Sequence, residues 1–161
     1  EVSEAMTGIM IGSISCCFLM GSFFSAKLAL NRSLDRMILY GRGLATSGLS
    51  VCLILLLLGQ SHLVIVISSA VSVGVGNGLA TPSASAAVMS VKNNLTASAS
   101  GLSGALVVLL GSIATLITGS VIQAYPNEKI LIGLMWASST SGLIIAIWAA
   151  IQRKRLNMFK N

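Results

Sequence analysis

The clearest indication of the fold lies in residues 95–125, which read LTASASGLSGALVVLLGSIATLITGSVIQAY. This run contains no Asp, Glu, Lys, Arg or His. As an α-helix it would extend for roughly 45 Å, which exceeds the ~30 Å thickness of a bilayer's hydrocarbon core. An uncharged helix of this length has no face suited to water. We therefore predict that this run spans a membrane.

The composition of the whole chain agrees with that prediction. Of its 161 residues, 55% are hydrophobic and 9% are charged, and the mean hydropathy is +0.91. A soluble domain carries about 25% charged residues, so this chain has too few polar groups to cover a water-facing surface. The net charge of +6 comes from residues in short loops and the tail. These favour contacts with lipid headgroups, and no nucleic-acid partner is expected.

Uncharged stretches recur along the chain with short polar segments between them. We predict an all-α, polytopic transmembrane helix bundle of about five spans that forms a single domain over residues 1–161. The predicted spans are 5–27, 37–59, 63–91, 96–124 and 130–152, followed by a tail at 153–161. The second span contains Arg42, whose side chain is expected to extend to the membrane surface.

The basic residues predict the orientation of these spans. If five helices alternate, nine of the ten Lys and Arg residues fall on one side, which is expected to be cytoplasmic. They are Lys27, Arg32, Arg36, Arg42, Lys92, Arg153, Lys154, Arg155 and Lys160, against Lys129 on the other side. The C-terminus is then cytoplasmic and the N-terminus external. An external N-terminus without a signal peptide predicts a preceding helix, so the chain reads as a piece of a longer protein.

The sequence offers few groups for catalysis. It has one histidine and four acidic residues, and no titratable acid, base or histidine lies in the central part of a predicted span. The single histidine, His62, falls in a predicted external loop. Cys16, Cys17 and Cys52 lie in apolar runs without CxxC spacing, which favours buried thiols over metal or redox chemistry. We expect neither an enzyme nor a metal or cofactor site.

Small residues indicate how the spans pack. Gly74 and Gly78 form a GxxxG pair in the third span, and Gly101 and Gly104 occur in the fourth. In lipid, helices associate through close backbone contact, which small residues permit. These glycines are therefore predicted to lie at helix–helix contacts.

Mild polarity in the third and fourth spans suggests a substrate cavity. Its predicted lining residues are Asn77, Thr81, Pro82, Ser100 and Ser103. Pro82 removes one backbone hydrogen bond and kinks a helix, and neighbouring hydroxyls can satisfy the freed carbonyl. The alternative is that Asn77 makes an ordinary interhelical hydrogen bond.

Two segments carry a resemblance to a known family. Residues 76–87 read GNGLATPSASAA and residues 97–105 read ASASGLSGA. This pair resembles the tenth and eleventh helices of major facilitator superfamily drug exporters, most closely the Bcr/CflA branch. Residues 21–41 resemble that family's eighth helix and basic loop, although Ser33-Leu34-Asp35-Arg36 replaces a Gly-Arg-Arg-like run.

The resemblance implies a function and a larger protein. The chain would supply the eighth to twelfth helices of a twelve-helix inner-membrane transporter, with the N-terminal half as its partner. Such a multidrug efflux antiporter exports small molecules in exchange for protons and confers antibiotic resistance. A major facilitator transporter for a metabolite, such as a sugar or an amino acid, and a non-transporting membrane scaffold are the alternatives.

Overall fold

The structure, a computed structural model, describes residues 4–29, 33–59, 63–90 and 95–158. In these ranges the chain forms five helices and no strand, which confirms the all-α bundle. The helices are α1 (Glu4–Ala29), α2 (Leu34–Leu57), α3 (Leu63–Met89), α4 (Thr96–Ala124) and α5 (Glu128–Met158). Helix α5 continues through Arg153 and Arg155, where the sequence predicts the start of the tail, so these basic residues lie on a helix.

Membrane-spanning character is clearest in three helices. Within the described part of the chain, α2, α4 and the segment Lys129–Arg155 of α5 are long and apolar enough to cross a membrane. Helix α1 contributes a shorter apolar segment, Gly12–Leu28. The chain is thus a membrane-associated helical protein, and five spans remain a prediction.

Helix α3 lies between α1 and α2, and glycine allows close approach on both of its sides. Toward α1, a β-carbon built onto Gly74 would lie 2.9 Å from the Ile14 carbonyl oxygen, and one on Gly78 would lie 3.0 Å from the Gly21 Cα. Toward α2, a β-carbon on Gly76 would lie 2.9 Å from the Ala45 Cβ. Residues 74 and 76 point to nearly opposite sides because successive helical residues turn by about 100°. The backbone of α3 therefore lies in close contact with the backbone of α1 on one side and with that of α2 on the other.

Helix α2 supplies most of the buried apolar residues. Its buried side chains recur every three or four positions, which is the spacing of one helical face. They include Met37, Ala45, Leu49, Cys52 and Leu56, each at most 2% exposed. Cys52 and Leu56 also pack with Ile132, which joins α5 to this face.

Two hydrogen bonds fasten α2 to α5. The hydroxyls of Thr46 and Ser139 lie 2.9 Å apart and both residues are buried. The Trp136 indole donates to Ser50 Oγ at 2.8 Å. The first of these bonds is buried and the second is exposed, and together they fix the position of α5 along α2.

Helix α4 has a different environment. It has no buried residue along its length and makes few contacts with α3 and α5. Leu102, Val107 and Leu116 are each more than 60% exposed. Such a surface requires apolar surroundings, so α4 is the helix with the greatest exposure to lipid or to a further protein segment.

An ion pair and a hydrogen bond connect the ends of helices α2, α3 and α5. Arg153 of α5 lies 3.2 Å from the Asp35 carboxylate at the start of α2. The same guanidinium donates to the Ala87 carbonyl near the end of α3 at 3.2 Å. The first turn of α2, the last turn of α3 and the end of α5 therefore lie at one end of the bundle. We refer to it as the Asp35 end.

Candidate substrate cavity

A cavity of about 230 Å³ lies among α2, α3, α4 and α5. It is lined by Arg42, Ala45, Leu49, Val73, Asn77, Thr118, Leu134, Met135, Ser138 and Ser139. Five of these residues are apolar, and the other five supply one cation, one amide and three hydroxyls. Polar groups that converge on a concave site are typical of small-molecule sites.

Arg42 is the charged group of this cavity. One of its guanidinium nitrogens, Nη1, lies 3.5 Å from Asn77 Oδ1, which is a long hydrogen bond. The guanidinium also lies beside Gly142 of α5, where an added β-carbon would be 3.5 Å from the Arg42 Cζ. This is an ordinary van der Waals distance, so the planar guanidinium packs beside α5 at Gly142.

The guanidinium lies at about the height of its own backbone in the bundle. Gly41, the residue before Arg42, lies against Gly76 and Ala80 of α3, and Asn77 lies between these two residues in the sequence. The Arg42 side chain thus extends sideways toward α3 and α5, where it meets Asn77 and Gly142. Its extension to the membrane surface stays a prediction.

Asp35 does not neutralise Arg42, because its carboxylate pairs with Arg153 at the Asp35 end of the bundle. Among the residues whose side chains the structure describes, Arg42 therefore has no carboxylate partner, and its polar contact is with Asn77.

Of the five residues predicted to line a substrate cavity, Asn77 lines two separate cavities. It lines the Arg42 cavity and also a second cavity of about 430 Å³ between α1 and α3, together with Ser15 and Phe18. The structure leaves the other four outside the lining of both cavities. Thr81 is exposed and Pro82 half-buried one turn further along α3, while Ser100 is exposed and Ser103 half-buried near the start of α4.

The four glycines predicted at helix contacts have two different environments. Gly74 and Gly78 lie against the backbone of α1. Gly101 and Gly104 have no atom within 4 Å of an added β-carbon. The difference follows from the position of the helices, since α3 is central and α4 peripheral.

The sequence does not identify Arg42 and Ser139 as cavity residues. Arg42 lies near the start of its predicted span, a position that favours the membrane surface. Ser139 gives no signal, because hydroxyls are frequent in α5.

Metal binding finds no support in the described residues. They contain no group of three or more His, Cys, Asp or Glu side chains that could hold an ion.

Comparison of the chain with protein-family models, with curated proteins and with solved structures finds no match in any of the three. The geometry of the cavity and the sequence resemblance are therefore the two observations that bear on the function of this chain.

Proposed function

We propose that this chain is part of a secondary active transporter that exports small molecules across the cytoplasmic membrane. The observation that supports the proposal most directly is a polar cavity within a bundle of apolar helices. Transporters bind their cargo near the bilayer midplane, between helices that change their relative positions. A cavity lined by α2, α3, α4 and α5, with Asn77 near the middle of α3, meets that requirement.

Multidrug efflux by proton antiport is the specific activity we propose. It rests on the resemblance of residues 76–87 and 97–105 to major facilitator exporters. In this arrangement the Asp35 end is cytoplasmic, because Arg36, Arg153 and Arg155 gather there, in agreement with the positive-inside rule. The group that carries the coupled proton would belong to the N-terminal half, since Asp35 is already paired with Arg153.

A metabolite transporter of the same superfamily is the second candidate. The observation that favours it is Arg42, because a cation in the cavity suits polar metabolites better than lipophilic cations. A membrane scaffold would have no need of a polar cavity whose guanidinium is without a carboxylate partner.

Accumulation assays test the proposal. Cells that express the gene should retain less ethidium or chloramphenicol than cells that lack it, and collapse of the proton gradient should abolish the difference. Asn77→Leu and Pro82→Ala should lower efflux while membrane expression is retained. Unchanged accumulation across a broad panel of drugs and metabolites, with good expression, would eliminate transport as the function.

A further inference from the structure

We propose that the Arg42 cavity binds the anionic oxygen group of a small organic molecule, a carboxylate or a phosphate. The proposal depends on three features that the structure brings together. They are a guanidinium with no carboxylate partner among the described side chains, further hydrogen-bond donors that line the same cavity, and a cavity volume of about 230 Å³.

The charge of Arg42 makes an anionic ligand favourable. A cation inside a membrane bundle is costly unless it is paired, and such residues mark substrate and ion pathways. The Asp35 carboxylate is paired with Arg153, so among the side chains that the structure describes none neutralises the Arg42 guanidinium. A guanidinium offers two parallel N–H donors whose spacing matches the two oxygens of a carboxylate or phosphate.

Other donors lie around the same space. The Oδ1 atom of Asn77 accepts from Arg42, so its NH₂ group is left as a donor. Thr118 and Ser138 also line the cavity, and within the described part of the chain their hydroxyls form no hydrogen bond. Groups that can donate hydrogen bonds to an anion thus line the cavity from α2, α3, α4 and α5.

The volume limits the size of the ligand. Pockets for drug-sized molecules measure about 300–1,000 Å³, so about 230 Å³ suits a small molecule or the charged end of a larger one. Leu49, Leu134 and Met135 would contact its apolar part. That this anion is the transported cargo rests on the function proposed above, whereas the binding itself does not.

Anion binding to the purified protein tests the inference without any transport step. The protein is kept in dodecyl maltoside, because this detergent contains no phosphate group that could compete for the site. Equilibrium dialysis would compare benzoate and phenyl phosphate with benzamide, a neutral molecule of similar shape. We expect at least one of the two anions to bind and benzamide to bind at least tenfold more weakly. Arg42→Gln should lower the affinity for that anion at least tenfold, and Arg42→Lys should restore part of it. Arg36→Gln, on an exposed position of the same helix, is the matched control and should leave affinity unchanged.

A second variant separates loss of binding from loss of folding. Asn77→Asp places a carboxylate beside the guanidinium with almost no change in volume. The new internal ion pair should raise the temperature of thermal unfolding while it lowers anion affinity at least tenfold. A folding defect would lower both quantities, so a fall in both would overturn the inference.

A lipid headgroup is the other source of the same chemistry. Native mass spectrometry would measure how much phosphatidylglycerol stays bound to the wild-type protein and to Arg42→Gln. If neither benzoate nor phenyl phosphate binds but Arg42→Gln loses phosphatidylglycerol, the site holds a lipid and the proposed small-molecule site is refuted. If no anion depends on Arg42, the inference also fails. Efflux of neutral drugs without anion binding would refute this inference alone, and anion binding without any transport would refute the proposed function alone.

Discussion

Gly78→Ala tests the close approach of α1 and α3. A β-carbon at residue 78 would overlap the Phe18 carbonyl oxygen and lie 3.0 Å from the Gly21 Cα. Both obstacles are backbone atoms, so no change of rotamer relieves the contact. Overpacking of this kind costs about 1–3 kcal/mol, and the lower backbone entropy of alanine offsets at most about 1 kcal/mol of it. We expect a net loss of about 1–2 kcal/mol in the free energy of unfolding.

Gly104→Ala is the matched control, because nothing lies within 4 Å of its added β-carbon. The same chemical change there should be neutral or stabilise the protein by up to about 1 kcal/mol. Reversible unfolding in mixed dodecyl maltoside and SDS micelles, followed by circular dichroism, measures both values. Equal stabilities of the two variants would refute the packing of α1 on α3.

A thiol provides a local measure of the same contact. Cys17 is half-buried beside Gly74, and its Cβ would lie 3.1 Å from a β-carbon at that position. In a Cys16→Ser background, Gly78→Ala should speed the reaction of Cys17 with a maleimide because α1 is forced away from α3. Gly104→Ala should leave the rate unchanged. An unchanged rate in Gly78→Ala would show that the two helices do not separate.

Three further experiments test the polar contacts and the topology. Thr46→Val removes a buried hydrogen bond between α2 and α5 and should cost about 0.6 kcal/mol in the same unfolding assay, since interhelical bonds in membranes average that value; a gain in stability would contradict the contact. Asp35→Asn and Arg153→Gln, combined in a double-mutant cycle, should show a coupling energy below about 1 kcal/mol because the pair is partly exposed, and zero coupling would dismiss the ion pair. Single cysteines at Arg36 and Lys154 should react with a membrane-impermeant maleimide from the cytoplasmic side only, and labelling from opposite sides would overturn the proposed orientation.

The helices were predictable from the sequence because a hydrocarbon interior accepts only uninterrupted runs of apolar residues. The start of α4 at Thr96 and its end at Ala124 coincide with the predicted span. The sequence predicts that the second span begins at residue 37, three residues after the start of α2 at Leu34. The reason is that residues 34–36 contain two charged side chains. At a helix end such charges lie in the headgroup region and do not interrupt the helix.

The cavity was less predictable, because spacing along one chain does not specify which helix lies opposite. Gly78 and Gly104 have similar sequence surroundings, yet one touches a neighbouring backbone and the other touches nothing. Arg42 shows the same limit for a long side chain. Its position in the sequence suggests the membrane surface, but its neighbours in the fold include Asn77 and Gly142, which are distant in the sequence.

The glycines on both sides of α3 also determine where the bundle can deform. Helices α1, α2 and α3 meet backbone to backbone, with almost no compressible side chain between them, and so behave as a stiff slab. Helix α4 has no buried residue to anchor it, and regions with few buried contacts open at the lowest free energy. Shear between α4 and the slab is thus the softest motion of the fold, and it changes the shape of the wall that Thr118 contributes beside Arg42.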